Sequence, residues 1–383
     1  MVMWSSGRVA AASRHRLGLR NRVGVVSSPV ADHPTMNDGS DFRADVRRIW
    51  DEFQRLGRSR DFGNLEGGSV EQQRDKRLQL HHCANYAAVL QVLRGSRPLG
   101  TRSDSSNDSV MSRAPLRLLE LGCGSGGLTS VLAKVMPESW SIEATDYSER
   151  LLTGARARFE CANLRFRHLD ARSLAPERMG GVDAVLLLEV IEHLPPDEAE
   201  GLLRRVYDAL EVGGMMVLTT LDRAAFPRPF SGYAPHFVEY THKSLSEFLG
   251  DPRRSPFEGH DVYRLVSERI AAESVRAEQR GGYLANRFQR MVLGIGRRHP
   301  KLGACREWLE ARLFRLYSLL PERDGFDFDG YLATLDLIRS EPEQHDHDSF
   351  GLVAVLRKSG EARDMTRLSD NRDRVPSHRA TGG

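Results

Sequence analysis

One stretch of ten residues, Leu118-Leu119-Glu120-Leu121-Gly122-Cys123-Gly124-Ser125-Gly126-Gly127, constrains this chain more than any other. An apolar run, Leu116 to Leu121, stops at a cluster of glycines, and apolar spacing resumes at once at helical period from Leu128 to Val135. A strand, a tight turn and a helix in immediate succession leave the turn's backbone open to a ligand, because glycine has no Cβ to obstruct the approach.

The alternation then repeats. Trp140 to Thr145 reads as a strand, Glu149 to Phe159 as a helix, and Leu164 to His168 and Asp183 to Leu188 as strands. Pro196 to Leu210 is helical with Gly213-Gly214 as its stop signal, and Met215 to Thr220 is a fifth strand. Such alternation predicts an α/β chain of Rossmann-like architecture, a mostly parallel sheet with helices on both faces.

Additions flank this core. Residues 1–40 read as a disordered leader and residues 41–94 as an N-terminal helical segment. The latter has Val46, Ile49, Trp50, Phe53 and Leu56 on one helical face and Cys83, Tyr86, Ala87, Leu90 and Leu93 on another. The serine-rich stretch 95–115 is a linker, and residues 116–250 form the core domain. After the helix Thr241 to Leu249 come a strand around Val262 to Val266 and a long helical tract from Ala271 to Leu320. Residues 251–348 therefore read as a mostly helical insertion that caps a substrate, 349–358 as the last core strand, and 359–383 as a disordered tail.

The glycine turn fits two ligands. Gly122, Gly124 and Gly127 satisfy the dinucleotide spacing GxGxxG, with Asp146 at the distance expected for a ribose contact. Charge separates the two: a pyrophosphate on the helix N-terminus would be repelled by Glu120, whereas a cofactor carrying a sulfonium and an ammonium would be attracted.

The run ELGCGSG resembles the first motif of class I S-adenosylmethionine-dependent methyltransferases, and the resemblance extends from about Leu116 to Leu249. A second stretch, VDAVLLLEVIEHLPPDEAEGLLRRVYDALEVGGMMVLTT, is similar to the fourth and fifth strands of the same family. The resemblance implies S-adenosyl-L-methionine as cofactor. It places Glu120, Gly122, Gly124 and Gly126 at the methyl donor, Asp146 on the ribose hydroxyls and Tyr147 against the adenine. Asp170 would meet the adenine amino group with Ala171 offering a backbone contact, and Glu189 would end the fourth strand beside the cofactor. As ordinary residues, Asp146 and Asp170 would be loop carboxylates or caps.

Methyl transfer chiefly requires positioning and exclusion of water, and a base is needed only when the acceptor arrives protonated. His193 and His236 are the candidate bases, each also readable as a hydrogen-bonded structural histidine. A different class of reading takes Glu189, Glu192, His193 and His236 together, which resemble the magnesium ligands of small-RNA 2′-hydroxyl methyltransferases. A third keeps the fold and the cofactor as a non-catalytic or regulatory module. The preferred expectation is transfer to a hydroxyl, or to an amine or carbon, of a small molecule, with no metal.

Composition bounds the partners. The 55 basic and 52 acidic residues are intermixed, for a net charge of +3, which gives no electrostatic reason to expect a nucleic acid. No apolar run approaches the ~20 residues of a membrane-spanning helix. The four cysteines, Cys83, Cys123, Cys161 and Cys305, show no CxxC pair and suggest reduced thiols in a cytoplasmic protein. Met1 to Ala31 has arginines and serines but no acidic residue, so an organellar address follows if residues 1–35 are a transit peptide. No feature of the sequence specifies an oligomeric state.

Overall fold

The structure, a computed structural model, describes residues 39–58, 75–95, 115–179, 181–233, 235–279, 287, 326–339 and 347–359. Most of the expected leader, linker and tail, and of the helical tract between 280 and 320, lies outside the described residues.

Eight strands form one sheet in the order β3-β2-β1-β4-β5-β8-β6-β7. They are β1 (Arg117–Leu121), β2 (Ser141–Asp146), β3 (Leu164–His168), β4 (Val182–Leu188), β5 (Leu210–Leu221), β6 (Gly259–Val266), β7 (Asp336–Arg339) and β8 (Ser349–Arg357). The first five pair in parallel. β8 inserts antiparallel between β5 and β6, and β7 pairs antiparallel with β6 at the edge.

Burial on both faces explains the unbroken apolar character of the central strands. In β4, Ala184, Leu186 and Leu188 enter one core while Val185 and Leu187 enter the other, as period-two alternation requires. The first core is closed by α1 (Gly39–Arg58), α2 (Lys76–Gly95), α3 (Gly127–Val135) and α4 (Glu149–Arg158). The second is closed by α5 (Pro196–Ala209) and α6 (His242–Gly250). The chain is thus an α/β Rossmann-like fold with helices on both faces.

The N-terminal helices share the sheet's core. Trp50 stacks on Phe326 and Phe328, with ring centroids 5.5 and 5.0 Å away. Phe328 opens α8 (Phe328–Ala333), the helix before β7. Trp50 and Phe53 are core residues.

Two features differ from the sequence expectation. Gly213 and Gly214 lie inside β5, where they form a bulge. The pairing jumps from Val182↔Leu210 to Ala184↔Met215, Gly213 takes φ 81°, and a Cβ on Gly214 would come within 2.8 Å of the Glu211 carbonyl oxygen. A glycine pair that reads as a stop is here the residue type a bulge requires. Second, besides α7 (Glu268–Ala277), α8 and the strand expected around Val262 to Val266, which is β6, the described part of 251–348 gives the sheet the edge strand β7. Short strands between polar segments carry little periodicity of their own.

At the carboxyl end of β5 a buried ion pair joins three strands. Asp222 accepts from Ser349 Oγ at 2.6 Å, and Arg264 Nε of β6 lies 3.6 Å from the same carboxylate oxygen, both side chains being almost wholly buried. Among the described residues no helix is long and apolar enough to cross a membrane. Replacing Asp222 by Ala would leave the Arg264 guanidinium buried without this carboxylate. Urea unfolding should show a loss of about 3–5 kcal/mol, and a loss below about 1 kcal/mol would contradict the clamp.

Candidate active site

The order of the parallel strands reverses between β1 and β4, and in such sheets ligands bind in the crevice at the carboxyl ends beside this switch. The glycine turn sits there. Gly122, Gly124 and Gly126 all take positive φ, at 84°, 58° and 77°. A Cβ on Gly122 would strike Val190 at 2.6 Å and one on Gly126 the Phe166 ring at 2.5 Å, whereas one on Gly124 would meet nothing within 4 Å. Gly122 and Gly126 are therefore required by packing, and Gly124 faces open space.

Asp146, the last residue of β2, anchors this turn. Its Oδ2 accepts from the Gly124 N–H at 2.9 Å and its Oδ1 from the Ser148 N–H at 2.8 Å. Burial raises its carboxyl above the ordinary value against the pull of these bonds. Tyr147 beside it is 72% exposed.

Asp170 is placed differently. It caps the turn Ala171–Ser173, accepts from the Arg172 N–H at 2.9 Å, and pairs with the Arg172 guanidinium at 2.7 Å. That pairing lowers its carboxyl, so an adenine amino group would have to share an oxygen already engaged.

Glu120 is buried at the end of β1. The Tyr86 hydroxyl of α2 donates to its Oε1 at 2.5 Å, while Oε2 has no hydrogen-bond partner. Burial pushes the Glu120 carboxyl up to about 7.

Glu189 follows β4 with φ 55°, the sole non-glycine residue at positive φ among those described. Its Oε1 accepts from Asn85 Nδ2 at 3.0 Å and Thr219 Oγ1 at 3.1 Å, with His81 Nε2 at 3.5 Å. Burial works to raise this carboxyl, yet the imidazoles of His81 and His82 and the Thr219 hydroxyl hold it below the ordinary value. Glu192 goes the other way: burial, then the nearby Glu189 charge, push it well up. Within this pair the charge is favoured on Glu189 and disfavoured on Glu192.

His193 and His236 come together with ring centroids 4.8 Å apart. Burial, then His236, depress the His193 imidazole. His236 Nδ1 lies 2.7 Å from Glu239 Oε1. Glu239 is in turn held by Arg223 at 3.2 Å and by the Ser231 N–H at 2.8 Å. Glu192, His193 and His236 each offer a ligand atom, and these atoms lie within 4.8 Å of one another. Glu189, included with them on sequence grounds, is outside this group and is held by α2.

The residues fit a cationic cofactor. Two buried carboxylates flank the turn, one with an unpartnered oxygen, and the space lies over Gly124. Asn85, His81, Glu239 and Arg223 were not legible as site residues. A signal existed for the first two, since polar residues on an otherwise buried helix face must find partners; Glu239 and Arg223 carried none.

Residues 118–214 match the family model described as "Methyltransferase domain". They form a methyltransferase domain of the class I, S-adenosylmethionine-dependent family. A ubiquinone biosynthesis O-methyltransferase of Caulobacter sp. (strain K31) is 36% identical over 110 residues, which is 28% of this chain and 42% of that protein. One from Xanthomonas campestris pv. campestris (strain B100) is 31% identical over 137 residues, 34% of this chain and 55% of that protein. The chain spans about half the length of these relatives. A solved structure titled as an S-adenosylmethionine-dependent methyltransferase, possible histamine N-methyltransferase, from Thermotoga maritima is 16% identical. It covers 74% of this chain and 94% of its own, with a TM-score of 0.40. The matched segment of the methyltransferase domain holds Glu120, the glycine turn, Asp146, Glu189, Glu192 and His193, and excludes α2 and the loop with His236.

The raised Glu120 carboxyl has a consequence for stability. In the unfolded chain it releases its proton near 4.5 and in the fold near 7, so between those values the fold holds one proton more. Stability from this group therefore falls as pH rises through that window. Glu120→Gln cannot ionise, so urea unfolding at pH 5 and pH 8 should show the variant gaining on the native protein by about 2.5 kcal/mol over that interval. An unchanged difference would refute the shift.

Proposed function

We propose that this chain transfers a methyl group from S-adenosyl-L-methionine to a hydroxyl of a small molecule. The observation that carries this reading is the His236–Glu239 dyad, brought beside His193 at the carboxyl end of the sheet that bears the glycine turn. The O-methyltransferases among the relatives support a hydroxyl as acceptor.

When bound, S-adenosyl-L-methionine supplies a methyl carbon on a sulfonium, an electrophile with a good leaving group. Asp146 would hold the ribose hydroxyls, since its two oxygens already fix the geometry of the turn below. Glu189, held below the ordinary carboxylate value, contributes a negative field that favours a cation. A neutral hydroxyl must lose its proton as its oxygen bonds to carbon. Glu239 holds the Nδ1 side of the His236 ring, so the Nε2 side is the one that would take that proton. Burial opposes ionisation of Glu239, but the bonds from His236 and Ser231 and the charge of Arg223 hold it ionised. It therefore stabilises the imidazolium that forms, in the manner of a base oriented by a third group.

One observation favours a second reading. The convergence of Glu192, His193 and His236 would let a divalent cation orient an acceptor, including a ribose, instead of a free imidazole taking its proton. Burial and the nearby Glu189 charge work against the ionised Glu192 that such a cation would need.

Calorimetry with S-adenosylhomocysteine should show micromolar or tighter binding, weakened about tenfold or more in Asp146→Ala by loss of charge-assisted hydrogen bonds. No binding to the folded native protein would sink the donor assignment. With labelled methyl donor and a panel of hydroxylated metabolites, His236→Gln should lower turnover on the order of 100-fold while leaving cofactor affinity intact. Excess chelator should leave native turnover unchanged; loss of activity restored by magnesium would transfer the role to a cation.

A further inference from the structure

Glu239, which holds the Nδ1 side of His236, is the middle member of a buried chain of charges that ends at Glu278, just beyond α7. Arg223 lies between the two carboxylates. Its Nη1 donates to Glu278 Oε2 at 2.8 Å, and its Nη2 to Glu278 Oε1 at 3.3 Å and to the Arg228 carbonyl at 2.6 Å. Its Nε, although 3.2 Å from Glu239 Oε2, makes no hydrogen bond. The Phe226 ring packs over the guanidinium at 4.1 Å, and Glu278 also faces the half-exposed Arg228 at 4.0 Å.

These contacts are divided unevenly. Both hydrogen bonds from Arg223 to a side chain go to Glu278, as a fork on a carboxylate, and Glu239 receives only the charge. The Glu239 oxygens are thereby left to Ser231, whose N–H and hydroxyl both donate, and to the His236 ring. The Arg223, Glu239 and Glu278 side chains are 1%, 0% and 7% exposed, so water does little to screen them. A buried guanidinium without a paired carboxylate is costly. Released from Glu278, Arg223 would turn its Nη groups to Glu239 and compete there with the imidazole.

We propose that Glu278 is a positioning residue for the base: by holding both Nη groups of Arg223 it keeps the guanidinium off Glu239, so that Glu239 remains bonded to His236 and fixes the imidazole for an acceptor hydroxyl. This rests on the methyl-transfer reading given above and carries it into the segment after α7. Arg223, His236, Glu239 and Glu278 all lie beyond the matched residues 118–214, so the support of the base comes from outside that segment.

A double-mutant cycle on the full chain tests this, read with labelled S-adenosylmethionine and the hydroxylated metabolite that the native protein methylates fastest. Glu278→Gln keeps the shape and removes the charge. It should lower kcat about tenfold, with KM for the acceptor within about twofold of native. Glu278→Asp, which keeps the charge, should stay within about threefold of the native kcat. In the His236→Gln background, Glu278→Gln should cost less than about twofold, because a residue that acts through His236 has nothing left to position. The same loss in both backgrounds would assign Glu278 a structural role and overturn the proposal, as would an unchanged kcat in Glu278→Gln. Hydrogen exchange needs no acceptor: the amides of residues 231–239 should exchange about fivefold or more faster in Glu278→Gln than in the native protein, and unchanged exchange would also overturn it. A native protein that methylates no hydroxylated compound would instead defeat the reading on which this assignment rests, and the assignment with it.

Discussion

Carboxylates that end strands β1, β2 and β4 are taken out of water by the same packing that makes the sheet stable, and each must find donors or give up its charge. The chain meets this requirement three ways. Asp146 takes two backbone N–H groups from the turn it helps to shape. Glu189 takes an amide and a hydroxyl, with two imidazoles nearby. Glu120, with one phenolic donor, is pushed up to about 7. The result is an acidic crevice at the point where the strand order reverses, which selects for a cation and against a pyrophosphate.

A second set of buried charges builds the other side of the site. Arg223, following β5, pairs with Glu239 and with Glu278 just beyond α7 at 2.8 Å. Glu239 holds His236. The loop that carries the candidate base is thus tied to the segment that leads into the insertion. Because the Arg223 and Glu239 side chains are almost wholly buried, this loop is fixed by charge pairing more than by regular secondary structure, and the His236 ring stands nearly perpendicular to that of His193.

The sheet supports both sets. β8 between β5 and β6 extends the first core under α2, where Phe350 meets His81. The α1–α2 pair is fastened by Gln91 and Arg94 to Asp45, at 2.5 and 2.6 Å, so the helix that grips Glu120 and Glu189 is held from behind. Arg77 extends this support to Glu273 of α7.

Much of the fold was present in local sequence. The alternation from Leu116 to Thr220 gave the five parallel strands and the helices between them, because each element there carries its own periodicity. The glycine turn and Asp146 could be read as a cofactor site because turn chemistry is local: three glycines must take positive φ, and a carboxylate ends the next strand. The edge strand β7 escaped for the opposite reason, since a short edge strand is decided by the neighbour it pairs with. The same held for the meeting of His193 with His236, the grip of Asn85 and Tyr86, and the Glu239–Arg223 support. Sequence by itself determined that the chain would build a strand–turn–helix able to receive a cationic cofactor. Only tertiary structure decided which buried charges share a crevice and which atoms remain unsatisfied there, because pairing between residues about 100 positions apart depends on packing that no local pattern encodes.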